Sequence, residues 1–201
     1  QNCRLRKCIK PSYPRFIMDK SFALLAIVGM PGSGKSVSAD FFRTKNIPVL
    51  RFGDQTDLGL KDQGKPQTEE NERIYREQIR SELGMAAMAI KIEPRIIDAA
   101  KIHPLVVLDG LYSWEEYVYL KTKFPQIQLV CIFAPPSVRY ARLAVRTTRP
   151  LSKDVAQSRD IAEIEHLNKG GPIALADFTI MNDTDEKTFL GKLHVFCDTL
   201  L

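Results

Sequence analysis

Residues Gly29-Met-Pro-Gly-Ser-Gly-Lys-Ser36 place glycines at 29, 32 and 34 ahead of a lysine and a hydroxyl. Glycines allow the chain to curl so that successive N–H groups face inward, and a helix opening at Lys35 adds the positive end of its dipole. Such a curl suits an anion with several oxygens. The spacing G-x-x-x-x-G-K-[ST], set after an apolar run and before a helical stretch, is that of a loop that grips a triphosphate. Gly29, Pro31, Gly32, Ser33, Gly34, Lys35, Ser36 and Val37 are therefore the candidate nucleotide-binding residues. Lys35 would pair with the β and γ phosphates, and the Ser36 hydroxyl would ligate Mg²⁺. A chance glycine turn is the alternative, and the strand before and helix after weigh against it.

Further groups could complete this chemistry. Leu105-Val-Val-Leu-Asp109 is an apolar strand ending in an acid, which would bring a second oxygen ligand for magnesium beside the loop. Gly110 follows it, leaving Glu115 and Glu116 as the nearest acids that could activate water; this favours transfer to an acceptor over hydrolysis. Arg139, Arg142 and Arg146 recur at helical spacing, and Arg149 and Arg159 flank a charged excursion. Cations delivered by a closing segment would stabilise the charge of a transferring phosphoryl group while excluding water. A solvated helix face is the plainer reading of the same stripe.

The elements that must hold these groups alternate short apolar runs with longer helical stretches, the pattern of a parallel sheet covered on both faces. Strands are expected at 22–28, 48–52, 105–109, 127–133 and 177–181. Helices are expected at 35–45, 69–91, 94–101, 114–123, 136–147 and 186–200. Two polar excursions, 53–67 and 147–171, interrupt the rhythm. Long excursions in a compact domain tend to carry function. The expected fold is three-layer α/β/α with a five-stranded parallel sheet, an acceptor-binding region near 53–95 and a mobile lid near 147–171.

With 201 residues, 44% of them apolar, the chain can bury a full core, and its longest apolar run, Phe22 to Met30, is too short to span a bilayer. Its net charge of +5 comes entirely from Arg4, Arg6, Lys7, Lys10 and Arg15. The rest sums to zero, so a nucleic-acid partner is not expected. Residues 1–17 read as a basic extension outside the fold, with the domain covering 18–201. Cys3, Cys8, Cys131 and Cys197 form no CxxC pair, which fits free thiols in the cytoplasm.

From Met18 to Leu201 the sequence resembles the P-loop nucleoside monophosphate kinase class, of which adenylate kinase and dephospho-CoA kinase are members. Within that class it is most similar to a mainly archaeal adenylate-kinase-like group. The resemblance rests on IVGMPGSGKS, PVLRFGD ending at Asp54, TEEN through ELGMAAMAIK, VVLDGLYSWEE, the RLAVR pair Arg142 and Arg146, SRD at Arg159 and ALADFTIMND at Asn182. It implies ATP and Mg²⁺ as cofactors, with Lys35 and Ser36 at the phosphates. Arg142 and Arg146 match the lid motif, in which one arginine covers the base and the other reaches the phosphates. Asn182 resembles the segment bordering adenine. The departure is Asp57, an acid three residues after Asp54 where the family carries an arginine for the acceptor phosphate. Lys61, Lys65 or the stripe Arg73, Arg76 and Arg80 could compensate, and Asp54 could serve as base toward a hydroxyl acceptor.

The reading that follows is an ATP- and Mg²⁺-dependent phosphotransferase acting on a small nucleotide-like acceptor, such as a nucleoside monophosphate or dephospho-CoA. Lys35, Asp54, Arg142 and Arg146 form its catalytic set; Asp54, Arg73, Arg76, Asp109, Arg149 and Arg159 face the acceptor; Ser36 and Asp109 hold the metal. No membrane partner is expected, and the oligomeric state stays open. A nucleotide-binding regulatory module with little turnover is the alternative that Asp57 motivates. A slow ATPase completed by a neighbouring subunit's arginine is a third.

Overall fold

A computed structural model describes residues 22–147 and 149–200; the extension expected at 1–17 lies outside them. The strands are β1 (Ala23–Val28), β2 (Val49–Arg51), β3 (Leu105–Asp109), β4 (Gln128–Phe133) and β5 (Phe178–Met181). They form one parallel sheet in the order β2-β3-β1-β4-β5. All five lie where the apolar runs place them. The helices are α1 (Lys35–Thr44), α2 (Asp54–Asp62), α3 (Glu69–Leu83), α4 (Ala87–Ala100), α5 (Trp114–Lys123), α6 (Pro136–Val145), α7 (Lys153–Leu167), α8 (Gly170–Ala174) and α9 (Glu186–Asp198).

β1 is central because its side chains are apolar on both faces. Leu24, Ala26 and Val28 join the cluster formed with Ile92 and Ile96 of α4 and Leu120 of α5. Leu25 and Ile27 join the opposite cluster, with Phe42 of α1 and Phe189 and Leu193 of α9. Ile27 pairs in register with Asp109, so the glycine loop and Asp109 leave the sheet at the same edge. Parallel sheets bind ligands at that carboxyl edge.

Three expectations need correction. The excursion 53–67 contains a helix, α2, whose first turn carries Asp54 and Asp57 where a helix dipole favours acids, and which buries Gln55, Thr56 and Leu60. The helix expected over 69–91 stops at Leu83, where Gly84 takes φ 77°. The break placed before Pro94 is absent, because Pro94 lies inside α4. A proline there costs about 3 kcal/mol, but the buried face of Ala87, Met88, Ala89, Ile92 and Ile96 holds the helix together.

The lid region at 147–171 is also mostly helical. α7 buries Ala156, Asp160 and Glu163 and exposes Val155, Ile161 and Ile164. Two of its three buried residues are acids, and three large apolar groups face out. That inversion makes the segment read as a charged excursion.

α2 and α3 meet at Gly59, where a β-carbon would lie 2.0 Å from the buried Tyr75 ring. Gly59→Ala should therefore destabilise the fold by about 1–3 kcal/mol despite alanine's better helix propensity. Chemical and thermal unfolding should record the loss.

Candidate functional site

The glycine loop is braced from outside. Asn182, 5% exposed at the end of β5, donates from Nδ2 to the Ser33 carbonyl at 2.8 Å. Gly34 sits at φ 106°, and a β-carbon there would come within 2.2 Å of that Nδ2. Arg139 of α6 donates to the Pro31 carbonyl at 3.0 Å and to the Ala134 carbonyl at 3.2 Å. Arg142 donates to the Asn182 carbonyl at 2.9 Å, to its Oδ1 at 3.2 Å and to the Thr184 carbonyl at 3.1 Å. Loop carbonyls are thus tied to side chains, while the first N–H groups of α1 have no acceptor within the helix. Ser33 Oγ is buried in the loop without a hydrogen-bond partner. The free N–H groups that open α1 and an orphaned hydroxyl beside them fit a phosphate.

Arg139 belongs to this brace. Its guanidinium is bidentate to Asp160 of α7 at 3.0 and 2.6 Å, and Tyr140 adds a bond to the same carboxylate at 2.9 Å. Both partners are buried, so α6, α7 and the loop form one connected unit.

Lys35 donates its ammonium to the Met30 carbonyl at 3.0 Å. Burial lowers its pKa to about 7, helped by the charge of Lys169, against the pull of Glu163 and Asp109. Burial raises the pKa of Asp109, although Lys35 opposes this. Glu163 accepts from Lys169 and, at 2.9 Å, from Arg159 Nε. Burial works to raise the Glu163 pKa, but Lys169 and Arg159 outweigh it and hold the group below the ordinary range. Lys169 is 2% exposed, and its Nζ lies 4.6 Å from the centre of the Tyr112 ring. Lys169, Glu163 and Tyr112 escape sequence reading because a lysine before Gly170-Gly171 looks like any surface turn.

Ser36 is exposed at the start of α1, and Asp109 closes β3 at the same edge of the sheet. A hydroxyl and a carboxylate oxygen are hard donors that suit Mg²⁺ held mainly by phosphates and water. Among the described residues, no group of three or more His, Cys, Asp or Glu could hold a metal by itself. The donor set therefore fits a substrate-carried ion. Glu115 and Glu116 have other partners. Glu116 caps α5, accepting from the backbone of Tyr112 and Ser113 at 2.8 and 3.1 Å, and Glu115 accepts from Asn168 at 2.8 Å.

Beyond β2, whose Arg51 pairs in register with Asp109, a groove of about 540 Å³ is lined by Asp54, Asp57, Lys61, Lys65, Gln67 and Arg95, among others. Arg95 of α4 reaches Asp54 at 3.3 Å, and Arg51 approaches it at 3.9 Å. Arg95 was not singled out from the sequence, because Pro94 marked its surroundings as a helix break. Arg73 is exposed, Arg76 pairs with Glu72 at 3.3 Å, and neither lines the groove. Arg146 donates to the Arg149 carbonyl at 2.6 Å, and Arg149 approaches Glu69 of α3 at 3.9 Å. Those two arginines bridge lid and acceptor region at the surface.

This fold and loop define the class: a P-loop kinase-like α/β protein. Among solved structures, TT1252 from Thermus thermophilus superposes with TM-score 0.63 at 19% identity, covering 90% of this chain and all of that one. Shikimate kinase from Bacteroides thetaiotaomicron gives 0.58 at 14% identity, covering 89% and 98%. Shikimate kinase from Aquifex aeolicus gives 0.51 at 20%, covering 87% and 96%. No protein-family model matches the chain. The chain nevertheless belongs to the UPF0200 family. It is 33% identical to the UPF0200 protein of Pyrococcus abyssi over 182 residues, covering 89% of this chain and 97% of that one. It is 32% identical to that of Sulfurisphaera tokodaii, with the same coverage. Against that of Methanocaldococcus jannaschii it is 31% identical over 180 residues, covering 89% and 90%. The resemblance to a mainly archaeal group is borne out.

Arg139→Met should leave Asp160 buried without its ion partner and cost about 3–5 kcal/mol. Arg139→Met with Asp160→Leu should recover much of the stability but not the brace on Pro31. Unfolding midpoints of the two variants, compared with the unaltered protein, test this.

Proposed function

We propose that the chain transfers the γ-phosphoryl group of ATP to a small, anionic, nucleotide-like acceptor seated in the groove of Asp54 and Arg95. The single observation that carries the proposal is the braced glycine loop with Lys35 inside it, opening at the same sheet edge as Asp109 and the groove. Loop amides and Lys35 would bind the triphosphate; Ser36 and Asp109 would hold Mg²⁺, which supplies charge neutralisation on the phosphates. Arg142, locked to Asn182, would border the base. Arg159 on α7, through its charge on Lys35, is suited to the phosphate end.

On the acceptor side, Arg95, Lys61 and Lys65 supply cations in place of the arginine replaced by Asp57. Their number favours an acceptor bearing phosphate or carboxylate groups. With a hydroxyl acceptor such as dephospho-CoA, the oxygen attacks the γ phosphorus and the bond to the β-bridging oxygen breaks. ADP leaves, and the hydroxyl proton passes to Asp54. With a nucleoside monophosphate, the phosphate oxygen attacks and no base is required. Asp57 in the groove favours one other reading, a regulatory module that binds ATP with little turnover.

Phosphorus NMR of Mg-ATP with a panel of nucleoside monophosphates, deoxynucleotides and dephospho-CoA tests the proposal. Phosphorylation of one member, reduced about 100- to 1000-fold in kcat by Lys35→Ala, is expected. ATP binding without transfer to any member would favour the regulatory reading; no binding would end both. Arg95→Ala should raise the acceptor KM about tenfold or more with a smaller effect on that of ATP.

Binding should also depend on pH. Lys35 in the free protein titrates near 7, and a bound triphosphate raises its pKa, so binding above that pH takes up a proton. ATP affinity should be flat below pH 7 and fall with rising pH by up to about tenfold per unit. Calorimetry in buffers of different ionisation enthalpy should read that uptake directly.

A further inference from the structure

Lys169 stands in the turn between α7 and α8, and two contacts fix that region against the first turn of α5. Asn168 donates to Glu115 at 2.8 Å, and a β-carbon at Gly171 would lie 2.7 Å from the Trp114 ring. The Lys169 ammonium is consequently held over the face of Tyr112, three residues beyond Asp109. It is 2% exposed. Burying an ammonium costs several kcal/mol unless opposite charge compensates it.

The compensation at hand is incomplete. Glu163 is the carboxylate bonded to Lys169, and the same carboxylate serves Arg159. Lys35, Lys169 and Arg159 act on one another against the carboxylates of Glu163 and Asp109, and Asp160, which also acts on Lys169, is already held bidentate by Arg139, so cations outnumber carboxylates beside a loop whose amides also favour anions. A lysine needed only to neutralise Glu163 would be redundant there, since Arg159 neutralises it from a half-exposed position.

We propose that Lys169 is a second phosphate-binding cation, delivered by the α7–α8 turn to the terminal phosphate of a bound nucleoside triphosphate opposite Lys35. On binding, the ammonium shifts from Glu163 toward the phosphate, and Arg159 remains to pair with Glu163. The inference rests on the kinase reading of the loop, and it goes beyond it by assigning recognition of the third phosphate to a residue outside the loop. Lys169 thereby makes the site prefer triphosphate over diphosphate and favours release of the product nucleotide.

Calorimetry with Mg-ATP and Mg-ADP tests the assignment in a pair-removal variant, Lys169→Met with Glu163→Gln, which leaves no buried charge unmatched between them. Relative to the unaltered protein, ATP affinity should fall about 10- to 100-fold and ADP affinity should change less than about twofold. Unchanged affinity for both nucleotides in the folded variant would make Lys169 a structural counterion and overturn the proposal, leaving the loop reading intact. Absence of ATP binding by the unaltered protein would overturn both. Should the variant not fold, lysine ε-carbon NMR of the unaltered chain decides. The Lys169 resonance should shift with ATP and stay in place with ADP; a shift confined to Lys35 would overturn the proposal.

Discussion

A backbone segment can present its amides to an anion only if something else holds its carbonyls. Here that constraint is met by two side chains from neighbouring elements, Asn182 after β5 and Arg139 on α6. Asn182 takes the Ser33 carbonyl, and Arg139 takes that of Pro31. Both are almost fully buried, and each is held in turn, Asn182 by Arg142 and Arg139 by Asp160. A curl of three glycines would otherwise sample many shapes, because glycine gains as much from freedom as it offers in reach. The brace fixes one of them before any ligand arrives, so less conformational entropy is lost on binding.

The brace also fixes the position of α7. Asp160 and Glu163 lie one helical turn apart on the inner face of α7. One acid anchors the helix to Arg139, and the other holds Lys169 and Arg159 together. Packing and electrostatics are therefore coupled along a single helix face. Arg139 and Asp160 are matched one to one there, whereas Lys169 and the half-exposed Arg159 share the single carboxylate of Glu163.

Much of the frame was legible in the sequence because buried parallel strands are written as short apolar runs, and all five occur where those runs lie. The loop was legible because its glycine, lysine and serine spacing has a mechanical reason. α7 was not, since two of its three buried residues are acids and its exposed ones include Val155, Ile161 and Ile164, the reverse of the usual helical stripe. α4 was misread because the packing of Ile92 and Ile96 outweighs the local cost of Pro94. Arg139 looked like one member of a cationic stripe. Its separation from Arg146 depends on Asp160, a contact 21 residues away along the chain that no local pattern encodes. Lys169 and Arg95 were missed for the same reason, because their partners come from other elements.

The proposed acceptor side differs physically from the proposed nucleotide side. The loop has a fixed shape, whereas the groove is defined by long, flexible cations around Asp54, with Asp57 at a position the family gives to an arginine. An acceptor bound there would meet charge spread over several side chains, one of which, Arg95, is oriented by its pairing with Asp54.

Backbone hydrogen exchange across residues 28–37, with and without Mg-ATP, tests the central claim most directly. The account predicts saturable slowing of exchange within Gly29 to Ser36 that adenosine does not reproduce. Unchanged exchange in that segment at ATP concentrations that protect other parts of the chain would contradict it.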